Sequence, residues 1–284
     1  ESLKNSIELF PVEDEKITYE YFGKDIIITL PSNLEQDKTY VISLNSNFSD
    51  ERNVKLKENI VIPISLSNSI NEGVLQGEIF GSFKKPSVLL WRGIIEKIEK
   101  INRKPDYIIS STNIFSFSYL AYDKYTIIAS DLYNSRLPLD QNKISFHSDD
   151  FVDIQKDHIS NINFYFNDEN NDAELDSLIV DQELEEFSNL VGNIKGNYIL
   201  PLIINLKNEN YNYQTELSLD GTFRIDNIMS GKYQLLAFQD RNNNKILDTG
   251  LLNSKTESEK FYVYPDSLVL RTNWELEIKN WEIN

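Results

Sequence analysis

Two stretches of the chain place oxygen-bearing side chains at alternating positions. In the first, Asp240, Asn242, Asn244 and Asp248 occupy loop positions 1, 3, 5 and 9, with the Ile246 carbonyl at 7. In the second, Asp168, Asn170, Asp172, Glu174 and Asp176 repeat the spacing. A hard cation such as Ca²⁺ takes carboxylate, carboxamide and carbonyl oxygens in this order, so both stretches match the opening of a calcium loop. Lys245 stands sixth, where glycine is expected, and Leu251 and Ile179 stand twelfth, where a bidentate acid would close the shell. The alternative is an Asx-rich turn whose side chains satisfy their own backbone. The matching span of an internal repeat described below keeps only Asp131, Asn134 and Asp140, too few oxygens for a site.

Other chemistries find little material. There is no cysteine, and His147 and His158 are the only histidines, so a zinc site lacks its nitrogen and sulfur ligands. No Gly-x-Ser-x-Gly elbow and no phosphate-binding glycine loop occurs among the ten glycines. Acidic pairs abound, which leaves glycosidase carboxylates formally open, but in so acidic a chain they read as solvated faces. Trp91, Trp274 and Trp281 could stack on a sugar, and core or interface packing is the competing reading. The inventory points to a protein that is not an enzyme.

The formal net charge is −17 over 284 residues. Nucleic acid and anionic membrane surfaces are poor direct partners for such a chain. Much of the excess lies between Asp149 and Glu186, with thirteen acidic residues against the single base Lys156. No run of 18 apolar residues occurs that could span a membrane as a helix. No signal peptide is visible, and the chain opens at Glu1 without Met, which suggests a processed or incompletely represented N-terminus.

The elements that must position these residues read as strands, because Tyr, Phe, Ile and Val supply the apolar content. Expected strands are 17–22, 25–30, 39–44, 59–66, 74–80, 87–91, 107–111, 114–117, 125–129, 162–166 and 178–180, with one short helix over 94–101. Tyr40 opens a strand after the polar corner Glu35–Thr39, as a tyrosine corner of an immunoglobulin-like sandwich does. An ungapped repeat joins Asn113–Ala129 to Gly221–Ala237. It pairs Phe115 with Phe223, Phe117 with Ile225, Leu120 with Ile228, Tyr125 with Tyr233 and Ala129 with Ala237. Upstream, Gly77–Gly81 loosely echoes Gly192–Gly196.

The run Gly221-Thr-Phe-Arg-Ile to Gly231-Lys-Tyr-Gln-Leu-Leu-Ala-Phe-Gln-Asp240 resembles carboxypeptidase-regulatory-like, transthyretin-type modules. Residues 1–70 and the tail Leu270–Trp281 are similar to Ig-like-domain lipoproteins of Bacteroidota-type envelopes. The expected architecture is therefore all-β, with serial β-sandwich domains. An Ig-like domain over 1–72, incomplete at its N-terminus, precedes a transthyretin-like module over 73–148. An acidic connecting segment follows over 149–188, then a second transthyretin-like module with a C-terminal tail over 189–284. The resemblance implies an outer-membrane lipoprotein that binds or scaffolds other envelope proteins. Such proteins carry a lipidated cysteine, which would lie upstream of Glu1, or else the chain is not anchored in that way. Trp274 and Trp281 are the expected partner-binding residues. The alternative is a carbohydrate-binding or adhesin-type surface module.

Overall fold

The computed structural model describes residues 6–13, 15, 17–22, 25–36, 38–45, 48–50, 52–57, 59–95, 103–110, 113–135, 137–139, 142–156, 159–167, 187–250 and 257–283. Their regular structure is all β, with no α-helix. The helix expected over 94–101 and the strand expected over 178–180 fall largely or wholly outside these residues. The chain divides into two compact units, with the boundary at Phe166/Asn167.

In the first unit, β1 (Ile7–Phe10), β4 (Thr39–Leu44) and β5 (Ile60–Ser65) form one antiparallel sheet in the order β1-β4-β5. The hairpin of β2 (Thr18–Phe22) and β3 (Asp25–Thr29) packs Tyr19 and Ile28 onto Ile7 and Ile42 of that sheet. Alternate residues of a strand face opposite ways, so two half-apolar ribbons close on one another. Tyr40 is fully buried; its hydroxyl accepts the Glu35 N–H at 3.0 Å and donates to Glu13 Oε1 at 3.1 Å. This tie to backbone five residues upstream is the tyrosine corner read from the sequence. Phe10 and Val41 join the core of the following module, and the Phe10 ring stacks on Tyr107 at 6.0 Å.

Among the described residues that module has eight strands. One sheet runs β8 (Tyr107–Ser110), β7 (Pro86–Arg92), β10 (Lys124–Asp131), β11 (Lys143–Phe146), with β12 (Val152–Asp153) also on β10. The other runs β9 (Ile114–Leu120), β6 (Gly73–Gly81), β13 (Ile159–Phe166). Leu75, Ile79, Phe115, Phe117 and Phe164 from one sheet meet Val88, Leu90, Tyr125 and Ile127 from the other. The module thus runs from Gly73 to Phe166, not to residue 148. The acidic stretch after 148 supplies β12 and β13, because Ile162, Phe164 and Phe166 alternate into the core, with Asn161 and Asn163 exposed on the other face and Tyr165 buried there.

The second unit repeats the arrangement strand for strand. β16 (Asn212–Glu216), β15 (Leu202–Lys207), β18 (Gly231–Gln239) and β19 (Phe261–Val263) form one sheet, with β20 (Leu268–Leu270) also on β18. β17 (Thr222–Ile228), β14 (Ser188–Gly196) and β21 (Glu275–Ile283) form the other. Gly77 pairs with Phe115, and Gly192 with Phe223. A Cβ on either glycine would lie within 2.7 Å of the paired ring, so each Phe lies over a bare backbone. Tyr125 donates its hydroxyl to Ala121 O at 3.1 Å, and Tyr233 to Met229 O at 2.8 Å. Tyr119 and Asn227, 108 apart, both adopt positive φ (64° and 58°).

Candidate functional site

The loop after β18 gathers the first oxygen-rich stretch. Asp240 is anchored by its own N–H, which donates to Pro201 O at 3.0 Å, and it is only 2 % exposed. Its carboxylate accepts the N–H of Asn244 at 3.1 Å and of Lys245 at 2.9 Å. Asn242 Oδ1 accepts the Asn244 N–H, and Asn244 Oδ1 accepts the Ile246 N–H. Both amides then donate to Asp248 Oδ2, at 2.8 Å from Asn242 and 3.1 Å from Asn244. The four side chains named from the sequence therefore converge. Lys245 departs from glycine in type but not in conformation: its φ is 60°, the left-handed value that such a loop needs.

The sequence reading missed Glu259. A short antiparallel bridge, Thr249 to Ser258, lays residues 257–260 against the loop. Glu259 Oε1 accepts the Arg241 N–H at 2.7 Å and Oε2 accepts the Asp248 N–H at 3.2 Å. At 3 % exposure it is a buried acid beside the loop, with both carboxylate oxygens bonded to loop N–H groups. Burial pushes the Glu259 carboxyl up, the two N–H bonds oppose this, and the nearby Asp248 and Asp240 charges add to the rise. Its sequence neighbourhood, Glu257-Ser258-Glu259-Lys260 before the strand Phe261–Val263, carries no mark that separates it from a solvated acid.

Among the described residues, no group of three or more His, Cys, Asp or Glu side chains is gathered as a metal centre. The Asp240–Asp248 loop draws on two carboxamides, and its oxygens already accept N–H bonds, which is also how an Asx-rich turn holds itself. Asp168, Asn170, Asp172 and Asp176 lie outside the described residues. In the first module Asp131 turns inward and accepts the N–H groups of Lys84 and Lys85. His147 lies 3.5 Å from Asp149, and His158 is outside the described residues.

The tryptophans separate. Trp281 is 5 % exposed and meets Tyr264 edge-on at 5.5 Å inside the module core. That corrects the expectation of a partner contact there: an irregularity at Lys279–Asn280, with Asn280 at φ 51°, shifts the alternation by one residue and turns Trp281 onto the inner face. Trp274, in the turn before β21, is 63 % exposed, with the Arg271 guanidinium 5.8 Å from its ring centre. Trp91 is buried and donates Nε1–H to Arg103 O at 3.3 Å.

The fold is that of serial immunoglobulin-like β-sandwiches. Residues 190–243, from β14 through β18 into the oxygen-rich loop, match the model of the family described as polysaccharide lyase family 4, domain II. Among solved structures the chain is similar to the Bacillus anthracis TIE protein, with 14% identity over 98% of this chain and 51% of that one, at a TM-score of 0.20. It is also similar to a streptococcal ancillary pilin, with 8% identity over 92% and 80% of the two chains, at a TM-score of 0.18. The chain spans about half the length of the TIE protein. No curated protein matches it.

Proposed function

We propose that this chain is a non-catalytic binding and scaffold protein of the cell envelope, an outer-membrane lipoprotein whose transthyretin-like modules hold another envelope protein. The observation that carries the reading is Trp274, a large aromatic side chain left in solvent at a turn and flanked by Arg271. Exposed Trp and Arg are the residue types most often found as interface anchors. Repetition of one sandwich in series suits spacing and presentation better than turnover. Fractionation of the native protein followed by pull-down tests this. The expected result is recovery in the outer membrane with a stoichiometric partner; a cytoplasmic monomer retaining no partner would sink it.

Within that role the Asp240–Asp248 loop binds Ca²⁺ as a structural ion. Asp240, Asn242, Asn244, the Ile246 carbonyl and Asp248 supply its oxygens. The ion would replace the two amide-to-Asp248 hydrogen bonds and offset the repulsion among three buried or half-buried carboxylates. A ligand that binds only the folded state raises the melting temperature with its concentration. Calcium should therefore raise that of the wild type and not that of Asp248→Ala; equal melting with calcium and with chelator would leave a self-satisfied turn.

A carbohydrate-associated module is the second reading. It is favoured by the match of residues 190–243 to a polysaccharide lyase domain and by Tyr211, 40 % exposed and stacked on Tyr213 at 6.1 Å. Glycan-array binding lost in Tyr211→Ala but kept in Trp274→Ala would select it.

A further inference from the structure

In both modules the first and the last strand lie side by side and run parallel. β6 and β13 pair over eight residues, from Val74–Ile159 to Gly81–Phe166. β14 and β21 pair from Asn189–Glu275 to Gly196–Ile283, with one shift after Gly192. Among the described residues, every other strand-to-strand pairing in these modules is antiparallel, and the one parallel contact beside them is the isolated bridge Gly93–Tyr125. The chain enters each module at the start of the first strand and leaves at the end of the last. In a parallel pair those two points lie at opposite ends of the ladder.

We infer that each module is built to transmit tension along the chain, with the parallel ladder as the element that resists it. Tension applied at the entry and exit points slides the two strands past each other along their axes. The inter-strand hydrogen bonds then bear the load side by side and must fail together. Tension applied at the same end of both strands would instead open the bonds one at a time.

Two further features lie on the same ladders. Side chains bridge them: Asn193 Oδ1 accepts the Asn280 N–H at 2.7 Å, and Asn163 Oδ1 accepts the Glu78 N–H at 3.2 Å. The backbones also approach closely. A Cβ at Gly77 would sit 1.6 Å from Ile162 O, and one at Gly196 1.7 Å from Ile283 O. The inference rests on this geometry alone and not on where the protein resides.

Single-molecule pulling of the full chain tests it. The chain has no cysteine, so paired thiol handles define the loading direction. Phe187→Cys with Glu282→Cys loads the β14–β21 ladder in shear, whereas Phe187→Cys with Thr272→Cys peels it from one end. Forced rupture reports the unfolding rate under load. The expected result is a several-fold higher rupture force for the shear pair, lowered by Asn193→Ala, with the peeling force unchanged by that substitution. Should a handle variant fail to fold, Glu72→Cys with Asn167→Cys or with Gln155→Cys sets up the same two directions on β6 and β13. Equal rupture forces in the two directions would overturn the inference.

Discussion

Lys245 holds a left-handed backbone, φ 60°, that only glycine adopts without steric cost. Lys245→Gly should therefore stabilise the second unit by about 0.5–1 kcal/mol, the relief of strain being partly offset by a looser unfolded chain. Thermal denaturation reads this directly, and a loss of stability would mean that the Lys245 side chain contributes more than its backbone costs. Glu259 makes a pH prediction with a definite sign. Its folded value is raised above the ordinary 4.5, chiefly by burial. Its stabilising contribution is then complete below the unfolded value and is lost as pH rises through the folded one. In chelator, the wild type should lose more stability than Glu259→Gln between mildly acidic and neutral pH, and calcium should close the gap. Tyr40 offers a third case. Tyr40→Phe leaves the Glu35 N–H without its acceptor and should cost about 1–2 kcal/mol in denaturant titration.

At the scale of elements, the hairpin β9–β10 and its counterpart β17–β18 were legible because each is continuous in sequence. Phe115 to Ala129 and Phe223 to Ala237 keep one register through strand, turn and strand. The tyrosine corner was legible for the same reason, since Tyr40 and Glu35 are five residues apart. The strand over 162–166 was legible, but its place in the first module was hidden: its partner β6 lies 85 residues upstream, and its polar positions Asn161 and Asn163 sit in an acidic stretch that reads as solvated linker. Glu259 was hidden likewise, since it reaches Asp248 across eleven residues of chain. The glycines that echo each other loosely in sequence turn out to share a packing role beneath Phe115 and Phe223. Gly77→Ala and Gly192→Ala should each destabilise their module by about 3 kcal/mol, because the added methyl meets a backbone carbonyl or a buried ring. Circular dichroism melts decide this; a cost below that of an ordinary surface substitution would mean the strands separate freely.

At the scale of the whole molecule, the Tyr, Phe, Ile and Val content and the strand patterning anticipated the all-β class. They did not reveal the module boundary, which depends on pairing between distant segments. Under the proposed binding role, a chain of net charge −17 should meet a partner through a basic surface, and that attraction is screened over about 8 Å at physiological salt. Partner binding should weaken as salt rises, mainly through slower association. The anchoring role assigned to Trp274 is the more demanding claim, because Trp281 is already committed to the core. The most direct measurement is a paired pull-down from solubilised envelope, using wild type and Trp274→Ala at matched melting temperature. The account predicts a stoichiometric protein partner on the wild type and its loss from the variant; equal recovery on both, or hydrolysis of a glycan by the purified chain, would contradict it.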